Sequence, residues 1–188
     1  QGLDYFIPTQ DEVDVHTLPE SFQNGYVAFA IGAQHYTKRL PTERIIELCE
    51  RLQQPVILLG GKEDAATGEE IASYFQQLAT NNEQPTTIYN ACGKYNLNGS
   101  ASLVRQARQV VSHDTGLMHI AAAFQKDIIS VWGNTIPEFG MYPFRTKYKV
   151  LEVHGLSCRP CSKIGYSKCP KGHFKCMRDI SFKNLEIE

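Results

Sequence analysis

The residues best suited to chemistry stand where an apolar run ends, in the segment VVSHDTGLMHIAAAF of residues 110–124. Asp114, Thr115 and Gly116 follow the run, and an alanine-rich helical segment comes next. Thr and Asp favour the N-cap of a helix, and glycine lets the backbone approach a ligand closely. The free N–H groups of a first helical turn, with the positive end of the helix dipole, bind anions such as phosphate. The segment therefore predicts a strand that turns into a helix over a diphosphate site, with Thr115, Gly116 and Leu117 as backbone donors.

Two side chains of the same segment extend this prediction. The carboxylate of Asp114 cannot bind an anion, so we expect it either to cap the helix or to accept hydroxyl groups from a sugar. His119 follows Thr115 by four residues, which puts both on the same side of the helix. A purely structural cap and a packed histidine are the alternatives, and a strand–turn–helix junction alone does not exclude them.

Two other polar loops could serve the same ligand. Lys38 and Arg39 lie just before a predicted helix, where a cation could neutralise a second phosphate. Glu63 and Asp64 follow a glycine pair at the end of a strand, where an acid often accepts ribose hydroxyls in doubly wound folds. A surface ion pair and a first-turn acid remain the structural alternatives for these loops.

The elements that must position these loops alternate between strand and helix. Apolar runs predict strands at residues 26–31, 55–59, 109–112 and 127–132, and further strands are predicted at residues 86–89 and 148–153. Helical patterns predict helices at residues 41–52, 68–79, 100–107 and 115–124. Strands that are apolar on both faces, joined through helices, indicate an α/β fold with a doubly wound parallel sheet. In such sheets the loops that follow the strands gather at one edge, which is where ligands bind.

Composition excludes several classes of protein. The chain has 188 residues, and its 42% hydrophobic content is ordinary for a globular domain, so disorder is excluded as its main state. The net charge of −1 gives no overall case for binding nucleic acid. The charge is uneven, because residues 147–183 carry nine Lys and Arg against two acids, and this basic end could contact an anionic partner. No Walker, GxGxxG or GxSxG motif is present, and no apolar run is long enough to span a bilayer.

A cysteine-rich stretch is the second distinct feature. Cys158, Cys161, Cys169 and Cys176 lie close together in the sequence, with His173 between the last two. The spacing is compatible with a small tetrahedral zinc site, although it is not a pair of CxxC motifs. Plain structural thiols are the preferred interpretation, because no secretion signal heads the chain and a reducing compartment disfavours disulfides. Zinc remains the alternative.

Four stretches together resemble a known family. VVSHDTGLMHIAAAF, KRLP before a helix, VILLGGKED and ISVWGNTIPEFGMYP are similar to the C-terminal half of the family 9 glycosyltransferases, the ADP-heptose:lipopolysaccharide heptosyltransferases. The resemblance implies a GT-B enzyme, in which two Rossmann-like domains face each other and the C-terminal one binds the nucleotide sugar. It implies that Lys38 contacts the donor diphosphate, Glu63 the adenosine ribose and Asp114 the heptose hydroxyls. The cysteine-rich stretch also resembles a recurring feature of the family.

The resemblance also implies a division of the chain and of the chemistry. Residues 1–25 would be the interdomain linker, 26–156 the Rossmann-like nucleotide-sugar domain, and 157–188 a Cys-rich basic segment with the start of a C-terminal helix. Transfer would be inverting and independent of metal or cofactor, to a lipopolysaccharide core acceptor. The general base would belong to a missing N-terminal domain, so this chain would hold no catalytic residue and would be inactive alone. We would expect such an enzyme in the cytoplasm, peripheral to the inner membrane.

Two other functions fit the sequence. One is a nucleotide-binding module without transfer activity, and the other is a zinc-stabilised interaction module whose α/β core is vestigial. The second would require metal for folding and would have no affinity for ADP.

Overall fold

The protein is described here by a computed structural model covering residues 3–80, 86–183 and 185. Its centre is one sheet of six strands, in the order β3-β2-β1-β4-β5-β6, and every pair is parallel. The strands are Val27–Ala30 (β1), Val56–Leu59 (β2), Ile88–Asn90 (β3), Gln109–His113 (β4), Asp127–Trp132 (β5) and Tyr148–Glu152 (β6). The predicted doubly wound parallel sheet is confirmed.

Helices cover both faces of the sheet, and four of those described connect consecutive strands. The helices are Glu20–Gln23 (α1), Thr42–Leu52 (α2), Ala65–Thr80 (α3), Leu97–Gln106 (α4), Gly116–Ala123 (α5) and Lys175–Arg178 (α6). The predicted α2 and α5 are confirmed to within a residue or two. Two helices begin three residues earlier than the sequence predicts, and side-chain contacts explain both differences.

The early starts of α3 and α4 each depend on an asparagine. The side chain of Asn90 lies against Gly68 in α3 and donates a hydrogen bond to the Ala65 carbonyl at 3.1 Å, so Gly68 lies inside the helix. The side chain of Asn96 accepts a hydrogen bond from the Gly99 amide at 2.8 Å, which caps α4 within a stretch that resembles a turn.

Alternate residues of each strand point to opposite faces, and each face has its own core. On one face, Val27 and Phe29 of β1 pack with α2, α3 and the C-terminal segment, including Met177. On the other, Ala28 packs with α4, α5 and residues 18–26. All four residues of β1 and of β2 are buried. Burial on both faces explains why these strands are continuously apolar.

Both ends of the described chain pack on this sheet. In the predicted linker, Phe22 is buried in one core, and Glu12 pairs with Arg105 of α4 at 2.6 Å. In the Cys-rich segment (residues 157–183), Phe174 and Met177 are buried in the other core. The division of the chain at residues 25 and 156 stays a prediction, and what was predicted for residues 1, 2, 184 and 186–188 lies outside the described residues.

Across the part of the chain that the structure describes, no helix combines the length and the apolar character that crossing a membrane requires.

Candidate functional site

A pocket lies at the edge of the sheet where the strand order reverses. β1 neighbours both β2 and β4, so the loops that follow these three strands meet there. This switch point is where open α/β sheets usually bind ligands. The pocket has a volume of about 450 Å³. It is lined by Gly32, Ala33, Gln34, Leu59, Gly60, Gly61, Glu63, Asp64, Tyr95, Asn96, Leu97, Ser100, Thr115, Gly116 and Leu117.

The N-terminus of α5 forms one wall of this pocket. Thr115 is the N-cap residue, in an extended conformation, and its side chain makes no capping hydrogen bond. A Cβ added to Gly116 would meet no atom within 4 Å, so the space beside the helix start is open. The Met118 amide donates the first hydrogen bond of the helix, to the Thr115 carbonyl at 3.1 Å, so the amides of Gly116 and Leu117 have no partner within the helix. They therefore supply donors for an anion, as the sequence predicts.

Lys38 and Asp114, neither of which lines the pocket, form an ion pair next to the start of α5. The Lys38 Nζ lies 2.6 Å from the Asp114 Oδ2, and the Thr135 hydroxyl donates to the same oxygen at 3.0 Å. The Asp114 side chain is only 8% exposed. Its carboxylate thus binds two side chains from other loops and does not cap α5. The positive charge of Lys38 offsets the negative charge of this acid and so reduces the repulsion between Asp114 and a phosphate near it.

A second ion pair joins the loops after β1 and β2. Arg39 contacts the Asp64 Oδ1 at 2.9 Å through Nη1 and donates from Nε to the Ala33 carbonyl at 2.6 Å. The Asp64 Oδ2 accepts the Gly61 amide at 2.9 Å. A Cβ at Gly32 would lie 2.2 Å from that same oxygen, so any other residue there would force the Asp64 side chain to move. The Arg39–Asp64 ion pair therefore orders the loops that line the pocket. The sequence positions of the two residues do not predict that they pair.

His113, at the end of β4, supports the Lys38 loop. Its Nε2 accepts a hydrogen bond from the Leu40 amide at 3.0 Å, and its ring lies 6.1 Å from that of Phe29. Burial lowers the pKa of His113 to about 4, and the charge of Arg39 acts in the same direction. The imidazole is therefore neutral near pH 7, and its Nε2 can accept the hydrogen bond that holds the Lys38 loop in place.

The remaining predicted site residues divide into two groups. Glu63 is exposed at the pocket rim, in reach of a ligand in the pocket, whereas His119 lies further along α5 and does not line the pocket. The sequence did not point to Tyr95, Asn96 or Ser100, which line the opposite wall. Asn96 could have been found, since an Asn before a helix is a common N-cap signal.

The cysteines of the Cys-rich segment lie near one another. Burial raises the pKa of Cys176 to about 11, and the thiols of Cys161, Cys169 and Cys158 add to the increase. Cys158 Sγ lies 3.7 Å from the His173 Nε2. Even so, the described residues contain no group of three or more His, Cys, Asp and Glu side chains arranged to hold a metal ion.

Comparison with known proteins identifies the family of the chain. The model of the family "Glycosyltransferase family 9 (heptosyltransferase)" matches residues 7–171, which is most of the chain. The chain belongs to glycosyltransferase family 9. Lipopolysaccharide heptosyltransferase 2 of Escherichia coli K12 is 29% identical to it over 156 residues. That alignment covers 81% of this family 9 chain and 40% of the relative. Lipooligosaccharide heptosyltransferase 2 of Haemophilus influenzae is 35% identical over 117 residues, covering 60% of the chain and 32% of the relative.

Solved structures share the fold. E. coli ADP-heptose LPS heptosyltransferase II superposes with a TM-score of 0.65 at 21% identity, covering 94% of this chain and 52% of that one. E. coli heptosyltransferase WaaC with ADP gives a TM-score of 0.55 at 25% identity, covering 73% of this chain and 41% of that one. The family 9 chain thus spans about 40% of the length of the E. coli relative it matches.

Proposed function

We propose that this chain is the donor-binding half of a heptosyltransferase that moves heptose from ADP-heptose to a lipopolysaccharide core acceptor. Support comes from its membership of family 9 and from relatives named as lipopolysaccharide and lipooligosaccharide heptosyltransferases. The whole enzyme would act at the cytoplasmic face of the inner membrane, where it would be peripheral. The general base would come from outside the residues described here.

The observation that carries the proposal is the helix start that opens into the pocket. In our proposal the amides of Thr115, Gly116 and Leu117 hold the diphosphate, and Glu63 accepts the ribose hydroxyls at the rim. His119 would support the same wall from the next turn of α5. A volume of about 450 Å³ lies in the range of small-molecule and cofactor sites.

Lys38 would contact the charged diphosphate of the donor, and Asp114 would contact its sugar. The Lys38 ammonium is 16% exposed, and one of its N–H groups would donate a hydrogen bond to the diphosphate in place of Asp114. Asp114 would accept the heptose hydroxyls while Thr135 keeps its carboxylate in place. Amides and an ammonium aimed at the leaving diphosphate would stabilise the charge that develops there, so inverting transfer would need no metal.

Isothermal titration calorimetry tests this proposal on the purified chain. We expect ADP to bind, adenosine and UDP to bind more weakly, and EDTA to leave the ADP affinity unchanged. Lys38→Ala should weaken ADP binding about tenfold or more, because a hydrogen bond to a charged group contributes roughly 1.5–3 kcal/mol. Glu63→Ala should weaken it roughly fivefold, as expected for about 1 kcal/mol.

The matched control is Lys183→Ala, which removes the same charge from an exposed residue that does not line the pocket. It should leave the ADP affinity within twofold of the wild type. Equal affinities for ADP in the wild type, Lys38→Ala and Glu63→Ala would contradict the assigned roles. Absence of any ADP binding would contradict the function.

A further inference from the structure

The Cys-rich segment contacts both loops that hold Asp114. On the Lys38 side, the Thr37 amide donates to the Tyr166 carbonyl at 3.1 Å, and the Tyr166 amide donates to the Thr37 hydroxyl at 2.8 Å. Thr37 is 1% exposed and directly precedes Lys38. The segment therefore fixes the backbone from which the Lys38 side chain extends to Asp114.

On the Thr135 side, the same segment acts through one arginine. Arg159 donates from Nε to the Gly133 carbonyl at 2.6 Å and from Nη2 to the Thr135 carbonyl at 3.0 Å. It also forms an ion pair with Glu152 at the end of β6. The side chains of Arg159 and Glu152 are 7% and 10% exposed, so both charges are buried and paired.

The loop that carries Thr37 and the loop that carries Gly133 are also in close contact. A Cβ at Gly133 would lie 2.8 Å from the Thr37 carbonyl oxygen and 2.6 Å from the Cε of Met177. The amide of Cys161 donates to the Asn134 carbonyl at 3.2 Å, which gives the loop after β5 another anchor. A shift of Thr135 would therefore disturb its hydrogen bond to Asp114.

We propose that Arg159 is a positioning residue for the donor site, which sets the Thr135 hydroxyl against Asp114 and so fixes the Lys38–Asp114 pair. A planar guanidinium can hold the Gly133 and Thr135 carbonyls and the Glu152 carboxylate at once, whereas a lysine ammonium cannot match that geometry. The Cys-rich segment then serves as the support of the site. This inference rests on the proposed function, because it assumes that the donor binds beside Asp114.

The test is a double-mutant cycle on the purified chain, read as ADP affinity by calorimetry and as thermal stability. Arg159→Lys keeps the positive charge but loses the planar set of guanidinium N–H donors. Thr135→Val removes the hydroxyl group and keeps the shape of the side chain. We expect each single variant to bind ADP about five- to tenfold more weakly. The double variant should be no weaker than the weaker single, because both changes remove one shared contact. Arg44→Lys is the matched control, since Arg44 pairs with Glu47 and bonds the Ile180 carbonyl without lining the pocket.

Arg44→Lys should lower the melting temperature and keep the ADP affinity within twofold of the wild type. The proposal is overturned if Arg159→Lys loses stability but binds ADP like the wild type, or if the two single effects multiply in the double variant. If Arg159→Lys does not fold, Glu152→Gln replaces it in the same cycle. This variant weakens the ion pair that holds Arg159 and keeps the shape of the residue 152 side chain. Coupling with Thr135→Val is again the expected result.

Absence of ADP binding by the wild type would refute the proposed function, and hydrogen exchange would then decide on Arg159. Exchange at residues 36–40 and 112–117 should speed up in Arg159→Lys and not in Arg44→Lys. Equal exchange in the two variants would overturn the positioning role.

Discussion

Acid should destabilise this protein through His113, which is fully buried at the end of β4 and accepts a hydrogen bond from the Leu40 amide. Its pKa falls from 6.5 to about 4, so between these values the unfolded chain binds a proton that the folded chain does not. The free energy of unfolding must therefore decrease as the pH falls through this window. A shift of this size corresponds to about 3 kcal/mol, a large part of the roughly 5–15 kcal/mol of a typical domain.

The comparison with His113→Asn isolates this effect from the titration of carboxylates. Urea unfolding between pH 7 and pH 4 can be followed by the fluorescence of Trp132, the one tryptophan of the sequence, which is buried in β5. The wild type should lose about 3 kcal/mol more than His113→Asn over this range. His154→Asn, at an 84% exposed side chain, should behave like the wild type. Identical pH slopes for the wild type and His113→Asn would refute the assignment of a buried neutral imidazole.

Two further substitutions test the packing around the pocket. Gly32→Ala places a Cβ 2.2 Å from the Asp64 Oδ2, so it should cost roughly 1–3 kcal/mol in urea unfolding and weaken ADP binding, whereas unchanged stability would argue against the tight fit. Asn96→Ala removes the cap of α4 and should cost about 1 kcal/mol, or about 3 °C in melting temperature. Asn96→Ser keeps an acceptor for the Gly99 amide and should retain most of that stability, so equal losses in both variants would contradict the capping role.

Most of the fold could be predicted because the central strands of the sheet are buried on both faces. A strand covered on both sides is apolar at most positions, and β5, in which Ser130 is a buried exception, has the bounds that its apolar run predicts. The start of α4 was missed because the polar NLNGS stretch has the composition of a turn, and only the Asn96 side chain makes it a helix start. Local composition cannot show which way such a side chain points.

The sequence predicts which loops form the candidate site, but it does not predict which side chains form ion pairs within it. Parallel topology brings the loops after β1, β2 and β4 together, so Glu63 and the start of α5 meet at one pocket. The pairing of Lys38 with Asp114, and of Arg39 with Asp64, depends on side chains far apart in sequence, for which the pattern gives no signal. Arg159 was overlooked for the same reason, because the Gly133 and Thr135 carbonyls that it contacts lie 26 and 24 residues earlier in the sequence.

Amide chemical shifts of the ¹⁵N-labelled chain during titration with ADP test the central claim most directly. If the diphosphate binds at the start of α5, the amides of Thr115, Gly116 and Leu117 should show some of the largest shift changes, and adenosine should leave them nearly unchanged. ADP that binds without moving these three amides, or adenosine that moves them equally, would contradict the account.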